Sequence, residues 1–355
     1  MIKSMKKCLI YCLLFCSILI FTACGETDSK VILTTGFGTN EVFKVGSEKA
    51  SSTELMLFLV NTANQYEQVY GEEIWDIQVK EDTTMFQNLK EVALAQLSQV
   101  KAMKLLATEH QVALTEEEKA AADTAATIYL ASLTDLEKET LGITDGSVVK
   151  QLYEEKLLAD KLYAYLIRDV NPEISDDEAR IITVQHILLK TYTIDEHGNK
   201  VEMTESERNL LREKAEEIHT LATKGESFDT LISKYSEDSK GTYSFGTGDM
   251  EEVFEKAAFA LSTEEISSVV QTEQGYHIIK CISTLDREQT DLNKEKLLIS
   301  RKQEVFGDTY NAFVAGLEKR PNSELILSLE LPDSSVVDTA EFFSVYEEEL
   351  GSMFV

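Results

Sequence analysis

The sequence predicts an α+β protein in which a helical domain, built from segments on both sides, is interrupted by a module with an antiparallel sheet. Three observations lead there. Residues 41 to 170 carry apolar side chains at three- and four-residue steps, the period of helix faces packed on a core. The texture then changes at "DVNPEISDDEAR", where Pro172 ends a helix and the strand-like "RIITVQHILLK" follows. From there to about residue 284 short strands alternate with short helices, a pattern that gives an antiparallel α+β sheet. At 355 residues the chain is too long for one ordinary core, and two domains are expected.

The chain opens with Lys3, Lys6 and Lys7, an apolar run, and the small residues Thr22 and Ala23 before Cys24. This order reads as a secretion signal over 1–23, since a membrane-spanning helix needs about 20 apolar residues and the run stops short. The word "FTAC" resembles the bacterial lipobox, which makes Cys24 the expected lipidated residue and the membrane a partner through an N-terminal anchor. Cys8, Cys12 and Cys16 fall within the signal. With Cys24 acylated, Cys281 is left with no disulfide partner and reads as a small buried hydrophobe. Residues 24–40 are expected to be a tether.

Within 41–175 a first helix is expected from the stripe Leu55, Leu59, Ala63 and Tyr66, and further helices begin near Thr83, Thr115 and Ser147, where Thr115 with Glu118 has capping-box spacing. No catalytic constellation stands out there, and His110 at a helix end reads as a partner for the helix dipole. The module over 176–285 is expected to hold a helix opened by Thr204 and Glu207, the helix "FDTLISKYS", a glycine-rich turn, the helix "EEVFEKAAFAL" and a closing hairpin around Glu273 to Gly275. Residues 286–355 read as a long helix returning to the helical domain, then "SELILSLELP" as a strand and "DTAEFFSVYEEEL" as a short helix.

Composition narrows function. Lys and Arg total 34 against 63 Asp and Glu, and the net charge of −29 repels a phosphate backbone, so nucleic acid is excluded as a partner. No metal-ligand spacing is present and no cofactor is expected; His197 in "EHGN" reads as part of a solvated turn, and His219 has no ligand-spaced partner.

The words "QHILLK", "FDTLISKYSEDS" and "FGTGDMEEVFEKAAFALSTEEISSVVQTEQGYHIIK" together resemble the parvulin family of peptidylprolyl isomerases. The arrangement of lipobox, helical segment, parvulin module and returning helix is similar to that of PrsA-like foldase lipoproteins and, more distantly, SurA chaperones. The resemblance implies that His186 and His277 are the family's paired central histidines, with Asp238 beside the reacting peptide as the third catalytic residue. It implies a substrate cup from Met250 and Phe254 with Phe245 nearby, and Thr272, oriented by the histidines next to the substrate, is expected to bind it as well. It further implies an extracytoplasmic, lipid-anchored foldase whose partners are unfolded, proline-containing secreted polypeptides, with a homodimer left open. A turn shorter than the family's, "GTYSFG", lacks a leucine for the third wall, for which Thr242 or Tyr243 can substitute. Carboxylates after "HILLK" argue against phosphoserine-proline specificity. The rival reading is a non-catalytic peptide-binding chaperone or structural lipoprotein that keeps an inactive parvulin fold.

Overall fold

A computed structural model describes residues 36–80 and 83–354. The signal, Cys24 and most of the tether lie outside the described residues. The chain divides into two compact units, one of residues up to Asp169 together with Val305–Val355, the other Val170–Glu304. The division falls inside the long helix Arg287–Ala315, so its first half belongs to the second unit and only its last turns to the first.

The first unit is helical because its sequence keeps one apolar face per helix. Strands β1 (Glu41–Val45) and β2 (Glu48–Ser51) form a hairpin, and Ser51 then caps the helix Ser52–Tyr70 through a reciprocal capping box with Glu54. After a short hairpin of β3 (Gln78–Lys80) and β4 (Thr83–Thr84), helices span Met85–Glu109, Glu116–Ser132, Asp135–Thr140 and Ser147–Ile167. Thr84, Thr115 and Thr134 each start a helix with the same box. Leu55, Leu59, Leu97, Leu106, Tyr129, Leu152 and Tyr153 meet in one continuous core. No described helix is long and apolar enough to cross a membrane.

The second unit opens with the one-turn helix Asp176–Ala179 and β5 (Ile182–Lys190), followed by the exposed hairpin β6 (Tyr192–Ile194) and β7 (Lys200–Glu202), whose turn holds His197. Helices Glu205–Thr223 and Phe228–Tyr235 lead to β8 (Thr242–Phe245), the helix Glu252–Phe259, β9 (Val270–Gln271) and β10 (Gly275–Ser283). The antiparallel sheet runs β8-β5-β10-β9. Because side chains alternate along a strand, the two faces of the β5/β10 pair carry different cores. Ile187, Leu189, Tyr276 and Ile278 pack on the helices Glu205–Thr223 and Phe228–Tyr235, whereas Val184, Ile279 and Cys281 face Phe245, Phe254 and Ala258. Cys281 is a free, buried thiol, as a small apolar side chain on a central strand should be.

The remaining residues return to the first unit. Strand β11 (Lys319–Pro321) pairs antiparallel with β1, so segments almost 280 residues apart share one sheet in the order β11-β1-β2. "SELILS" is a helix, Ser323–Ser328, and not the strand its alternating leucines suggest, because the Asn322 side chain accepts from the Leu325 amide and starts a turn. The final helix, Phe342–Leu350, is held by polar groups far apart along the chain, which no local pattern pairs. The Asn61 side chain donates to Tyr129 at 3.0 Å and accepts from the Phe342 amide at 3.0 Å, and Asn64 donates to the Val337 and Thr339 carbonyls.

Candidate functional site

His186 and His277 sit on adjacent antiparallel strands. In the β5/β10 register His186 is opposite Ile279 and His277 is opposite Leu188, so the imidazoles are diagonal neighbours on the same face. That face is the one covered by the helix Glu252–Phe259. Both histidines are buried, at 4% and 6% exposure, which forces their ring nitrogens to find protein partners. Gly275 fixes the start of β10 at φ +148°, where a Cβ would fall 2.0 Å from the Leu189 carbonyl oxygen. The tight approach holds the turn carrying Thr272 next to His277.

The partners form a single line. His186 Nδ1 lies 3.1 Å from His277 Nδ1, His186 Nε2 lies 2.9 Å from Asp238 Oδ2, and His277 Nε2 lies 2.8 Å from Thr272 Oγ1. Asp238 also accepts from the Tyr243 hydroxyl at 2.9 Å and from the Lys240 amide at 3.0 Å. These contacts fix the direction of every bond, given that a carboxylate only accepts and a neutral imidazole has one donor and one acceptor. His186 donates from Nε2 to Asp238 and must accept at Nδ1. His277 then donates from Nδ1 and accepts at Nε2, so the Thr272 hydroxyl donates to it.

The electrostatics agree with that assignment. Burial pushes the His277 pKa down to about 4, with the neighbouring His186 adding to the shift. Burial also lowers the His186 pKa, and Asp238 offsets this only in part. For Asp238, burial acts to raise the pKa, but hydrogen bonds from Lys240, Tyr243 and His186 outweigh it and hold the carboxyl below its usual range. At neutral pH the line therefore contains one carboxylate and two neutral rings.

Aromatic rings close around the pair. Phe254 stands nearly perpendicular to both histidines, with ring centroids 5.6 Å from His186 and 5.1 Å from His277. Phe245, only 2% exposed, backs Phe254 at 5.9 Å, and the half-buried Met250 packs against the same cluster. Tyr243 lies edge-on to His186 at 5.2 Å. Its contact with Asp238 is the feature that sequence reasoning did not identify, although tyrosine five residues after the aspartate, on a strand pairing with β5, was the available signal. Beside Thr272 the surface dips into a polar recess of about 340 Å³ lined in part by Thr191, Lys200, Glu202 and Arg208. Among the described residues no group of three or more His, Cys, Asp or Glu is placed to hold a metal ion.

The match to a known family lies within the second unit. Residues 186–283 match the family described as Rotamase, PPIC-type PPIase domain. The chain is 33% identical over 182 residues to the foldase protein PrsA of Caldanaerobacter subterraneus subsp. tengcongensis, covering 48% of this chain and 55% of that protein. It is 28% identical over 239 residues to PrsA of Bacillus subtilis, covering 57% of this chain and 78% of that one. A crystal structure of the peptidylprolyl isomerase PrsA from Bacillus cereus aligns over 78% of this chain and 100% of its own, at 20% identity and a TM-score of 0.34. The chain thus spans about half the length of the first of these relatives. Residues 186–283 are a parvulin domain of the PPIC type, carried in a chain that is homologous to the PrsA foldases.

Proposed function

We propose that this protein is an extracytoplasmic foldase, anchored by a lipid on Cys24, that binds unfolded secreted chains and catalyses cis/trans isomerisation of their X-Pro bonds. The observation that carries the reading is the closed line Thr272–His277–His186–Asp238 beneath Phe254 and Met250.

The reaction breaks no bond. A prolyl amide loses its C–N resonance halfway through the rotation, and the barrier of roughly 18–20 kcal/mol is the cost of that loss. Catalysis consists in binding the twisted form better than either planar form. In this reading Met250 and Phe254 grip the proline ring and take the bond out of water, with Phe245 supporting Phe254 from behind. Removing water weakens the solvation of the planar amide, which is the more polar of the two states. An ionised Asp238 beside the imide carbonyl opposes negative charge on that oxygen and so weakens the resonance further. The neutral histidines transmit no charge; they hold Asp238 and Thr272 in fixed directions, as a preorganised site requires.

The test is a protease-coupled isomerisation assay with a panel of tetrapeptides varied before proline. Met250→Ala should lower kcat/KM by about 10- to 200-fold, roughly 1 to 3 kcal/mol, because the proline ring loses apolar contact. A folded protein inactive on every residue before proline would leave a peptide-binding chaperone in place of the enzyme.

Anchoring has its own test. Cys24→Ser should release the protein from membranes or block its processing, and membrane retention with normal signal cleavage would contradict the assignment. Lipid is required for attachment in this reading, since the net charge of −29, made more negative when Lys3, Lys6 and Lys7 leave with the signal, is repelled by anionic headgroups.

A further inference from the structure

The turn that carries Thr272 is held by side chains more than by the sheet. Strand β9 is two residues long and stands at the edge of the described sheet, and its pairing with β10 ends at Gln271 opposite Tyr276. A pairing this short opens easily, because few ladder bonds secure it. Thr272 nevertheless has to point in one direction. Its hydroxyl accepts from the Gln274 amide at 3.0 Å, which leaves its single proton for His277 Nε2.

Two oppositely charged residues grip the next residue, Glu273, at its two backbone groups. The Glu251 carboxylate accepts from the Glu273 amide, with Oε1 at 3.1 Å and Oε2 at 3.2 Å, and Lys200 Nζ donates to the Glu273 carbonyl at 3.2 Å. Glu251 occupies the N-cap position of the helix Glu252–Phe259, where a polar side chain usually turns back to the helix amides. It makes no such bond and reaches across to Glu273 instead, tying the residue after Met250 to the residue after Thr272. Lys200 comes from the exposed hairpin of β6 and β7, where it pairs with Glu202 at 2.9 Å and stands 4.4 Å above the Tyr192 ring. From the same hairpin the Tyr192 hydroxyl donates to the Gln274 side chain at 3.1 Å, and the Thr191 amide just before it donates to the Gln274 carbonyl at 3.3 Å.

We infer that Glu251 and Lys200 are positioning residues for the isomerisation: they hold the Glu273 backbone from two sides and so keep the Thr272 hydroxyl directed at His277. The inference rests on the isomerase reading for its reaction, and it assigns part of the site's preorganisation to residues outside the line of hydrogen bonds. Both side chains are exposed, so water replaces either bond at little cost to stability, but water fixes no direction. Met250 does not depend on the same support. Its loop is closed separately by the Gly246 amide on Asp249 at 2.8 Å and the Gly248 amide on Glu255 at 2.7 Å, so the loss of Glu251 falls on Thr272.

The test uses the full chain in the tetrapeptide isomerisation assay, together with the nuclear magnetic resonances of the Glu273 amide and of His277 Nε2. Glu251→Ala should lower kcat roughly tenfold and move KM by less than about twofold, because orientation is lost in the transition state more than in ground-state binding. Its melting temperature should stay at the parent's. Glu251→Gln keeps an acceptor oxygen for the Glu273 amide and should restore most of the rate. Lys200→Met should lower kcat in the same direction. Glu251→Ala and Lys200→Met should each shift the His277 Nε2 resonance, which a surface contact without a positioning role would leave in place. In a Thr272→Val background neither variant should cost anything further, since the group they act through is gone. The proposal is overturned if Glu251→Ala turns over like the parent, if Glu251→Gln does no better than Glu251→Ala, if the loss persists in full alongside Thr272→Val, or if the His277 Nε2 resonance does not move. A parent inactive on every tetrapeptide would instead remove the isomerase reading, and the Glu273 and His277 resonances, which need no turnover, would still decide whether the two residues hold Thr272.

Discussion

Replacing Lys101 with Met should destabilise the helical unit by roughly 3 to 5 kcal/mol, the cost of removing one partner from a buried ion pair. Lys101 is 0% exposed, and its ammonium contacts both Glu54 and Glu155, themselves buried at 6% and 4%. Burial acts to raise the Glu155 pKa, but Lys101, Gln151 and Lys104 more than compensate and keep it below the usual range. Without Lys101, Glu155 retains Lys104 at 3.0 Å, but Glu54 loses the cation it pairs with among the described residues. Glu54 also closes the capping box with Ser51, so the damage should extend to the start of the helix Ser52–Tyr70. Guanidinium unfolding followed by the emission of Trp75 reads this unit alone. The triple variant Lys101→Met/Glu54→Gln/Glu155→Gln should recover most of the loss, since neutral groups avoid the desolvation penalty that a lone carboxylate carries. A loss below about 1 kcal/mol for the single variant would show that water reaches the carboxylates and screens them.

That network also marks where sequence reading stops. Lys101 belongs to a helix whose apolar stripe is plain from Leu89, Ala93 and Leu97, and periodicity alone gives a lysine there no reason to be inside. Its partners are 47 and 54 residues away, and no local pattern encodes which carboxylates converge on it. The capping boxes at Thr115 and Thr204 were legible because the interaction closes within three residues. The seating of Phe342 against Asn61 was not, because it joins groups 281 residues apart. In the second unit the alternation along "QHILLK" and "GYHIIK" makes each histidine share a face with apolar neighbours, and the register of β5 against β10 sets the rings 3.1 Å apart at their Nδ1 atoms. The family words pointed to Asp238 as well. The link from Tyr243 to Asp238 depends on the path of the short turn into β8, a feature of backbone course that residue types do not specify.

Acidification should weaken the second unit through the histidine pair well before its carboxylates titrate. In the unfolded chain an imidazole takes up a proton near pH 6.5, whereas folded His277 resists protonation down to about 4 because it is buried and lies against His186. Between those limits the unfolded state binds more protons than the folded state, so stability falls as pH falls, and the contribution levels off below about 4. At about 1.4 kcal/mol per pKa unit the loss for His277 is on the order of 3 kcal/mol. The lowered His186 adds in the same direction. The groups facing the pair decide what a proton does there: Thr272 donates to His277, Asp238 accepts from His186, and Phe254 offers no polar atom to receive a new N–H. A proton on His186 enters at Nδ1 and sets donor against donor between the two rings, whereas a proton on His277 enters at Nε2 and meets the Thr272 hydroxyl, which must turn from donor to acceptor; either change disturbs the line that aligns Asp238 and Thr272. Isomerase activity should therefore decline over the same range as stability. Imidazole proton resonances followed against pH should give His277 a midpoint close to 4, and denaturation of the second unit should be much less pH-dependent between 6.5 and 4 in His277→Gln than in the parent. A His277 midpoint above 6, or an unchanged slope in that variant, would mean that the pair is hydrated and that the line from Thr272 to Asp238 opens in solution.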